Sequence, residues 1–307
     1  MLTGNQSREK LRTWLAPPNP SVNHNTACDT HHDGTADWFV QGSMFSDWKR
    51  DGSLLWIRGN RELLFSCQPL INSIISSDIS RVWKEYSFVR IFMVLGDREL
   101  ILLIRSAIIE DIKQLRESRS ALVAYYYFDF KDAAKRDIRG LLTSLLLQLV
   151  DKSNRCWDLL SQLHKTCSDG SEQPSDAALV QCLKNMLDLP GQLPTYIIID
   201  ALDECPNNIG TPSAREKVLN FVEDLVGSNH SNLFMCITSR PEQDITTSLN
   251  PLTPSSRCVS LHEEVGQRGD IDSYVRSFVQ RDAAMRRWRA EDKELVIDVL
   301  SERANGM

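Results

Sequence analysis

The chain has 307 residues, with 35 Lys and Arg against 41 Asp and Glu and a formal net charge of −6, a balance that argues against a dedicated nucleic-acid binder, whose footprint is a strongly basic domain. Hydrophobic residues make up 42% and charged residues 25%. These values are close to a globular average and exclude a disordered, collagen-like or disulfide-stapled chain, leaving about two domains or one α/β domain with flanking pieces.

Residues 1–53 are polar and rich in turn formers (Pro17, Pro18, Pro20, Asn23, Asn25, Gly34), apart from a short helix around 9–15. They read as a lead-in segment packed against a core. His24, Cys28, His31 and His32 have nominal zinc-binding capacity, but closed structural sites want four fixed ligands and no second cysteine pair is present. A polar docking loop is the favoured reading. Trp38, Phe39, Phe45 and Trp48 are spaced to pack a short helix onto the core. Four apolar runs come next, at residues 54–57, 122–130, 195–199 and 233–238. The last three have the length and the β-branched or aromatic content of a strand buried on both faces, and 54–57 is a shorter candidate of the same kind.

Helical patterns separate these runs. Residues 137–152 carry Ile138, Leu141, Leu142, Leu145, Leu149 and Val150 on one wide face, residues 175–187 open on the capping pair Ser175 and Asp176, and residues 214–226 repeat the pattern through Val218, Phe221 and Leu225. Strands alternating with helices of this length predict βαβ units, a mainly parallel sheet and a three-layer α/β fold. Past Val259 the strand texture stops, and two helices are predicted over 270–280 and 290–303. The sequence then ends without anything for the last helix to pack on, so the chain reads as cut short. In the basic run Arg286, Arg287, Arg289 with Trp288, a solvated helix start is favoured over a nucleic-acid contact.

Eight cysteines lie far apart with no CxxC pair, as reduced intracellular thiols do. The N-terminus lacks the apolar stretch of a secretory signal. The most apolar zone, 88–109, is broken by Arg90, Asp97, Arg98, Glu99 and Arg105, whereas a membrane span needs about 20 predominantly apolar residues. A soluble, cytoplasmic protein without a membrane segment is expected.

The most informative stretch is Tyr196-Ile197-Ile198-Ile199-Asp200-Ala201-Leu202-Asp203-Glu204-Cys205-Pro206. Four apolar residues followed directly by carboxylates place the acids at the C-terminal end of a buried parallel strand, where open α/β sheets bind ligands. Three acids within five positions repel one another unless a cation or basic group sits among them, and in phosphate-handling enzymes that cation is Mg²⁺. On this reading Asp200 holds the metal, Asp203 supports it, and Glu204 orients or deprotonates an attacking water; a merely solvated acidic loop is the plainer alternative. The run 233–238 also ends in polar residues, Thr238, Ser239 and Arg240. These lie beside the acidic loop if the two strands are neighbours. Arg240 there either reports on a γ-phosphate or pairs with Asp203 or Glu242.

Taken together, LRTWLAPPNPSVNHNTACDTHHDGTADWF, SLLWIRG, AYYYFDF, GLLTSLLLQL, TYIIIDALDECP and LFMCITSRPE resemble, in order, the NACHT module of fungal NLR-like STAND proteins, of the nephrocystin-3-like N-terminal type. The resemblance implies a P-loop NTPase fold with a five-stranded parallel core, Mg²⁺ with ATP or GTP as a conformational switch, and oligomerisation through other protein chains. It also implies Gly59, Asp200, Asp203, Thr238 and Arg240 at the nucleotide, Asp200 on the metal, and Glu204 as the catalytic residue of an active form. The chain then divides into a lead-in (1–53), a NACHT-like core (54–262) and the start of a helical region (263–307).

One block departs from the family. A phosphate loop needs G-x-x-x-x-G-K-[ST] after the first strand, because its amides cradle phosphates, its Lys reaches the β and γ oxygens and its hydroxyl holds Mg²⁺. Counting from Gly59, the positions due for Gly, Lys and Ser/Thr hold Leu64, Phe65 and Ser66, and no lysine occurs between Lys84 and Lys113. Family-like sequence resumes near Ser106. Residues 60–101 thus read as a translated intron, a lesion in a decayed paralogue, or an inserted subdomain. The sequence predicts a degenerate module that acts through protein contacts, without nucleotide hydrolysis; the alternative is a working ATP- or GTP-dependent switch whose correct transcript restores the loop.

Overall fold

A computed structural model describes residues 4–19, 37–59, 107–112, 120–208, 210–228 and 230–260, with isolated positions at 115 and within 276–297. The predicted α/β architecture is present. Five strands, β1 (Ser53–Arg58), β2 (Leu122–Tyr127), β3 (Thr195–Asp200), β4 (Leu233–Ser239) and β5 (Cys258–Ser260), form one sheet in the order β2-β3-β4-β1-β5. Every pairing is parallel. The helices are α1 (Gly4–Leu15), α2 (Asp37–Val40), α3 (Ser43–Asp51), α4 (Ile138–Val150), α5 (Asn154–Thr166), α6 (Asp176–Leu187), α7 (Ala214–Gly227) and α8 (Gln243–Leu249), with residues 107–112 also helical.

Strand alternation sorts side chains into two separate cores. On one face Leu54, Trp56, Ala124, Tyr126, Ile197, Ile199, Met235 and Ile237 meet the apolar sides of α4 to α8. On the other Leu55, Ile57, Val123, Tyr127, Ile198 and Cys236 meet Phe45 and Trp48 of α3, Phe39, and Ile108, Ile109 and Ile112. The lead-in helices are therefore built into the layers: α1 contributes Leu11, Trp14 and Leu15 to the first core, and α3 closes the second. Trp14 also donates its indole N–H to the Glu172 carbonyl at 2.9 Å.

The helix starts follow their caps. Asp137 accepts from Gly140 N at 2.8 Å ahead of α4, Ser175 from Ala178 N at 3.2 Å ahead of α6, and Ser213 forms a reciprocal capping box with Glu216 ahead of α7. On the edge strand β2, the Gln148 side chain of α4 accepts from Tyr125 N at 3.1 Å and donates to Tyr125 O at 2.8 Å. It thereby occupies backbone groups that another strand would otherwise pair with.

The structure corrects the predicted strand at 122–130. Pairing stops at Tyr127 because Asp129 accepts from Lys131 N at 2.9 Å and turns the chain, leaving Phe130 half exposed. Three elements went unanticipated. α5 buries only the narrow stripe Cys156, Leu160 and His164; α8 is 7 residues long; β5 has 3 residues, of which Val259 alone is buried. The favoured docking loop with His24, Cys28, His31 and His32, the block 60–101, most of the predicted helices at 270–280 and 290–303, and Arg286 to Trp288 lie outside the described residues.

Candidate functional site

β1 lies between β4 and β5. Helical residues 107–112, which precede β2, pack on one face of the sheet, whereas α7 and α8, which come after β3 and β4, lie on the opposite face. Connections that leave a sheet on opposite faces open a crevice at the C-terminal strand ends. The residues there are Gly59, Asp200 to Glu204, and Thr238 to Arg240.

β3 and β4 are neighbours, with Ile199 opposite Ile237, and the two polar strand ends interlock. The Thr238 hydroxyl donates to Asp200 Oδ1 at 2.6 Å and accepts from Ala201 N at 3.0 Å. Ala201 takes the left-handed conformation (φ 54°, ψ 47°), a strained state for a residue with a Cβ that persists only when its surroundings impose it. The chain then makes a single tight turn over Leu202–Glu204, with Leu202 driven into the core.

That turn separates the three acids. Asp203 accepts from Arg240 N at 3.1 Å and lies 3.4 Å from Arg240 Nε, so Arg240 makes the Asp203 pair, one of the alternatives open for it. Burial raises the Asp203 pKa above its ordinary value, although the Arg240 amide and guanidinium pull it the other way. Glu204 accepts from Phe130 N at 3.3 Å. Gly59, at the end of β1, donates its amide to Ser239 O at 3.2 Å. The mutual repulsion expected of three clustered carboxylates is relieved here by a hydroxyl, a guanidinium and an amide. Among the described residues no three His, Cys, Asp or Glu side chains converge on a metal position. Mg²⁺ needs only one or two carboxylates beside phosphate oxygens and water, and Asp200 is the strand-end carboxylate that would hold it.

Sequence reasoning overlooked the residue that holds this region together. Arg215 is almost fully buried in the first turn of α7. Its Nε donates to Cys205 O at 2.8 Å, one terminal nitrogen donates to Asp203 O at 2.6 Å, and the other bonds to Glu242 and, at 3.3 Å, to Asp244. Burial opposes the charge, but the Glu242 and Asp244 carboxylates outweigh it and leave the pKa raised. One guanidinium thus ties the loop after β3 to the loop after β4. A signal existed: a cation in the first helical turn opposes the helix dipole, which points to a partner outside the helix. Below this clamp the Cys205 thiol donates to Arg136 O at 3.2 Å, and burial pushes its pKa up to about 12.

No helix among the described residues is long and apolar enough to cross a membrane. No curated protein matches the chain. Residues 103–240, less than half of the chain, match the family model described as nephrocystin 3, N-terminal. The matched segment takes in Asp200, Asp203, Glu204, Thr238 and Arg240 and leaves out β1 with Gly59. With the parallel five-stranded sheet around it, this match supports a NACHT-like domain similar to the nephrocystin-3 N-terminal type over that segment.

Proposed function

We propose that this chain is a degenerate NACHT-type nucleotide-binding module of a fungal NLR-like signalling protein. It has the sheet edge of a nucleotide switch without the anion cradle, and it acts in the cytoplasm through contacts with other protein chains. The observation that carries this reading lies at the end of β1: Gly59 closes an interior strand, yet no Gly-Lys pair occurs anywhere after it in the sequence. A triphosphate would then lack the charge-assisted bonds of the loop lysine, which are roughly twice as strong as neutral ones. The pairing of Asp203 with Arg240 supports the same view, because neither group is held ready for a ligand alone.

The test is a titration of the purified chain with ATP and GTP in the presence of Mg²⁺, read by calorimetry. Absence of binding and of hydrolysis is expected. Micromolar affinity, or turnover that Glu204→Gln abolishes, overturns the proposal. The second reading, a working switch whose correct transcript restores the loop, is favoured by the start of the family match at residue 103, directly after the atypical block. Transcript reads that join the codons for Gly59 and Ser106 would establish it, and reads carrying 60–101 as coding sequence would exclude it.

A further inference from the structure

One histidine lies buried where the N-terminal helix meets the body of the fold. His164 ends the buried stripe of α5 and is 7% exposed. Neither of its ring nitrogens has a hydrogen-bond partner among the described residues. The imidazole meets the Trp14 indole of α1 in a T-shaped contact, with the ring centroids 4.9 Å apart. Gly170 presses on it from the turn that follows α5, so closely that a Cβ at that position would overlap His164 Nε2.

That turn is strained and grips the end of α1. Ser168, Asp169 and Gly170 have φ of 53°, 51° and 86°, left-handed values that residues with a Cβ keep only where their surroundings impose them. Just beyond it, Glu172 O accepts from the Trp14 indole at 2.9 Å, and Gln173 Nε2 donates to Trp14 O at 2.7 Å. Otherwise α1 is held by the buried Leu11, Trp14 and Leu15 and by an exposed Arg12–Asp151 pair at 3.2 Å, and exposed pairs contribute little. A helix of 12 residues is marginal by itself, so the order of α1 depends on its docking. The docked interface has no place for an imidazolium. Protonation would add an N–H to a ring flanked by Trp14 and Gly170, with no acceptor among the described residues. Burial accordingly holds the His164 pKa below its ordinary value; Lys10 of α1 acts in the same direction, and Asp169 of the turn opposes them.

We propose that His164 is a proton-sensitive latch, whose protonation undocks α1 from the turn at residues 168–173. Once α1 lifts, the imidazole reaches water and takes up a proton near its ordinary value of 6.5, so docking is at full strength above pH 6.5 and weakens as pH falls below it. Opening relaxes the turn and uncovers Leu11, Trp14 and Leu15 for another protein surface. This goes beyond the function proposed above: it involves neither the strand ends nor a nucleotide, and it holds equally in a degenerate module and in a working switch.

The experiment follows hydrogen exchange of the full chain by mass spectrometry at about pH 7.5 and about pH 5.5, on either side of a histidine titration, with rates corrected for the intrinsic effect of pH. Protection of α1 is expected to fall several-fold between the two, while that of β3 stays constant. His164→Gln removes this pH dependence. Lys10→Gln, at an exposed position, relieves the repulsion in the docked state and moves the opening to lower pH. Circular dichroism checks the fold of each variant, and if His164→Gln does not fold, Lys10→Gln decides. The proposal fails if α1 keeps its protection at the lower pH, if α1 and β3 lose protection together, or if folded His164→Gln, or failing it Lys10→Gln, opens on the parent's pH profile.

Discussion

Replacing Arg215 by Met keeps an unbranched side chain of similar helix propensity but ends it two atoms short and deletes the fork of donors. Hydrogen bonds from a charged donor contribute about 1.5–3 kcal/mol each. The Asp203 and Cys205 carbonyls lose one apiece, or about 3 kcal/mol at the lower end of that range. The carboxylates behave differently: Arg215 is 5% exposed at its side chain, but Glu242 is 44% and Asp244 31% exposed, so both rehydrate and their loss adds only about 1 kcal/mol. The expected destabilisation is about 4 kcal/mol, measured by urea unfolding with an unchanged denaturant slope. Arg215→Lys keeps the charge beside the carboxylates but cannot span both carbonyls, and is expected to lose about half as much. A local readout accompanies the global one: with the clamp gone, Cys205 becomes open to alkylation faster than Cys236 on β4. A loss below about 1 kcal/mol for Arg215→Met, or a Lys variant as stable as the parent, would refute the reasoning.

Thr238→Val removes both the donor to buried Asp200 and the acceptor for Ala201 N. It should lower stability by about 2–3 kcal/mol in the same urea assay, and a change under about 1 kcal/mol would show that the interlock contributes little. The thiols give a pH prediction. Burial pushes Cys182 and Cys205 from 9.0 up to about 12, so the native state keeps protons that the unfolded chain releases. Stability is therefore fully present below pH 9 and falls as pH climbs from 9 toward 12. Cys182→Ala should flatten that alkaline decline. At pH 8, iodoacetamide followed by mass spectrometry should label half-buried Cys167 and Cys258 well before Cys182, Cys205 and Cys236; uniform labelling would contradict the burial argument.

Local sequence carried much of the architecture. The β-rich runs at 54–57, 195–199 and 233–238 became β1, β3 and β4 within a residue or two at each end, and the helix at 214–226 became α7 nearly unchanged. Such signals are legible because burial on both faces demands uninterrupted apolar residues and a buried helix face repeats every three to four positions. The same logic failed at Phe130, where an apolar residue sits in a turn closed by the Asp129 side chain and by the Asp132 amide on the Asp129 carbonyl. It also passed over α5, whose buried stripe mixes a cysteine and a histidine with one leucine.

Sequence by itself determined that carboxylates would stand at the end of an interior strand, since Ile199-Asp200 is a covalent neighbourhood, and that no Gly-Lys pair comes after Gly59. Tertiary structure alone decided what each group touches. Asp203 meets Arg240 across 37 residues, Trp56 meets Ser239 across 183, and Arg215 reaches both loops from a helix start that reads as ordinary polar text. Those partnerships depend on the strand order β2-β3-β4-β1-β5 and on register, and a one-residue slip would turn every side chain of a strand to the opposite face. Periodicity is a property of a dozen neighbouring residues, whereas the pairing of charges is a property of the assembled sheet.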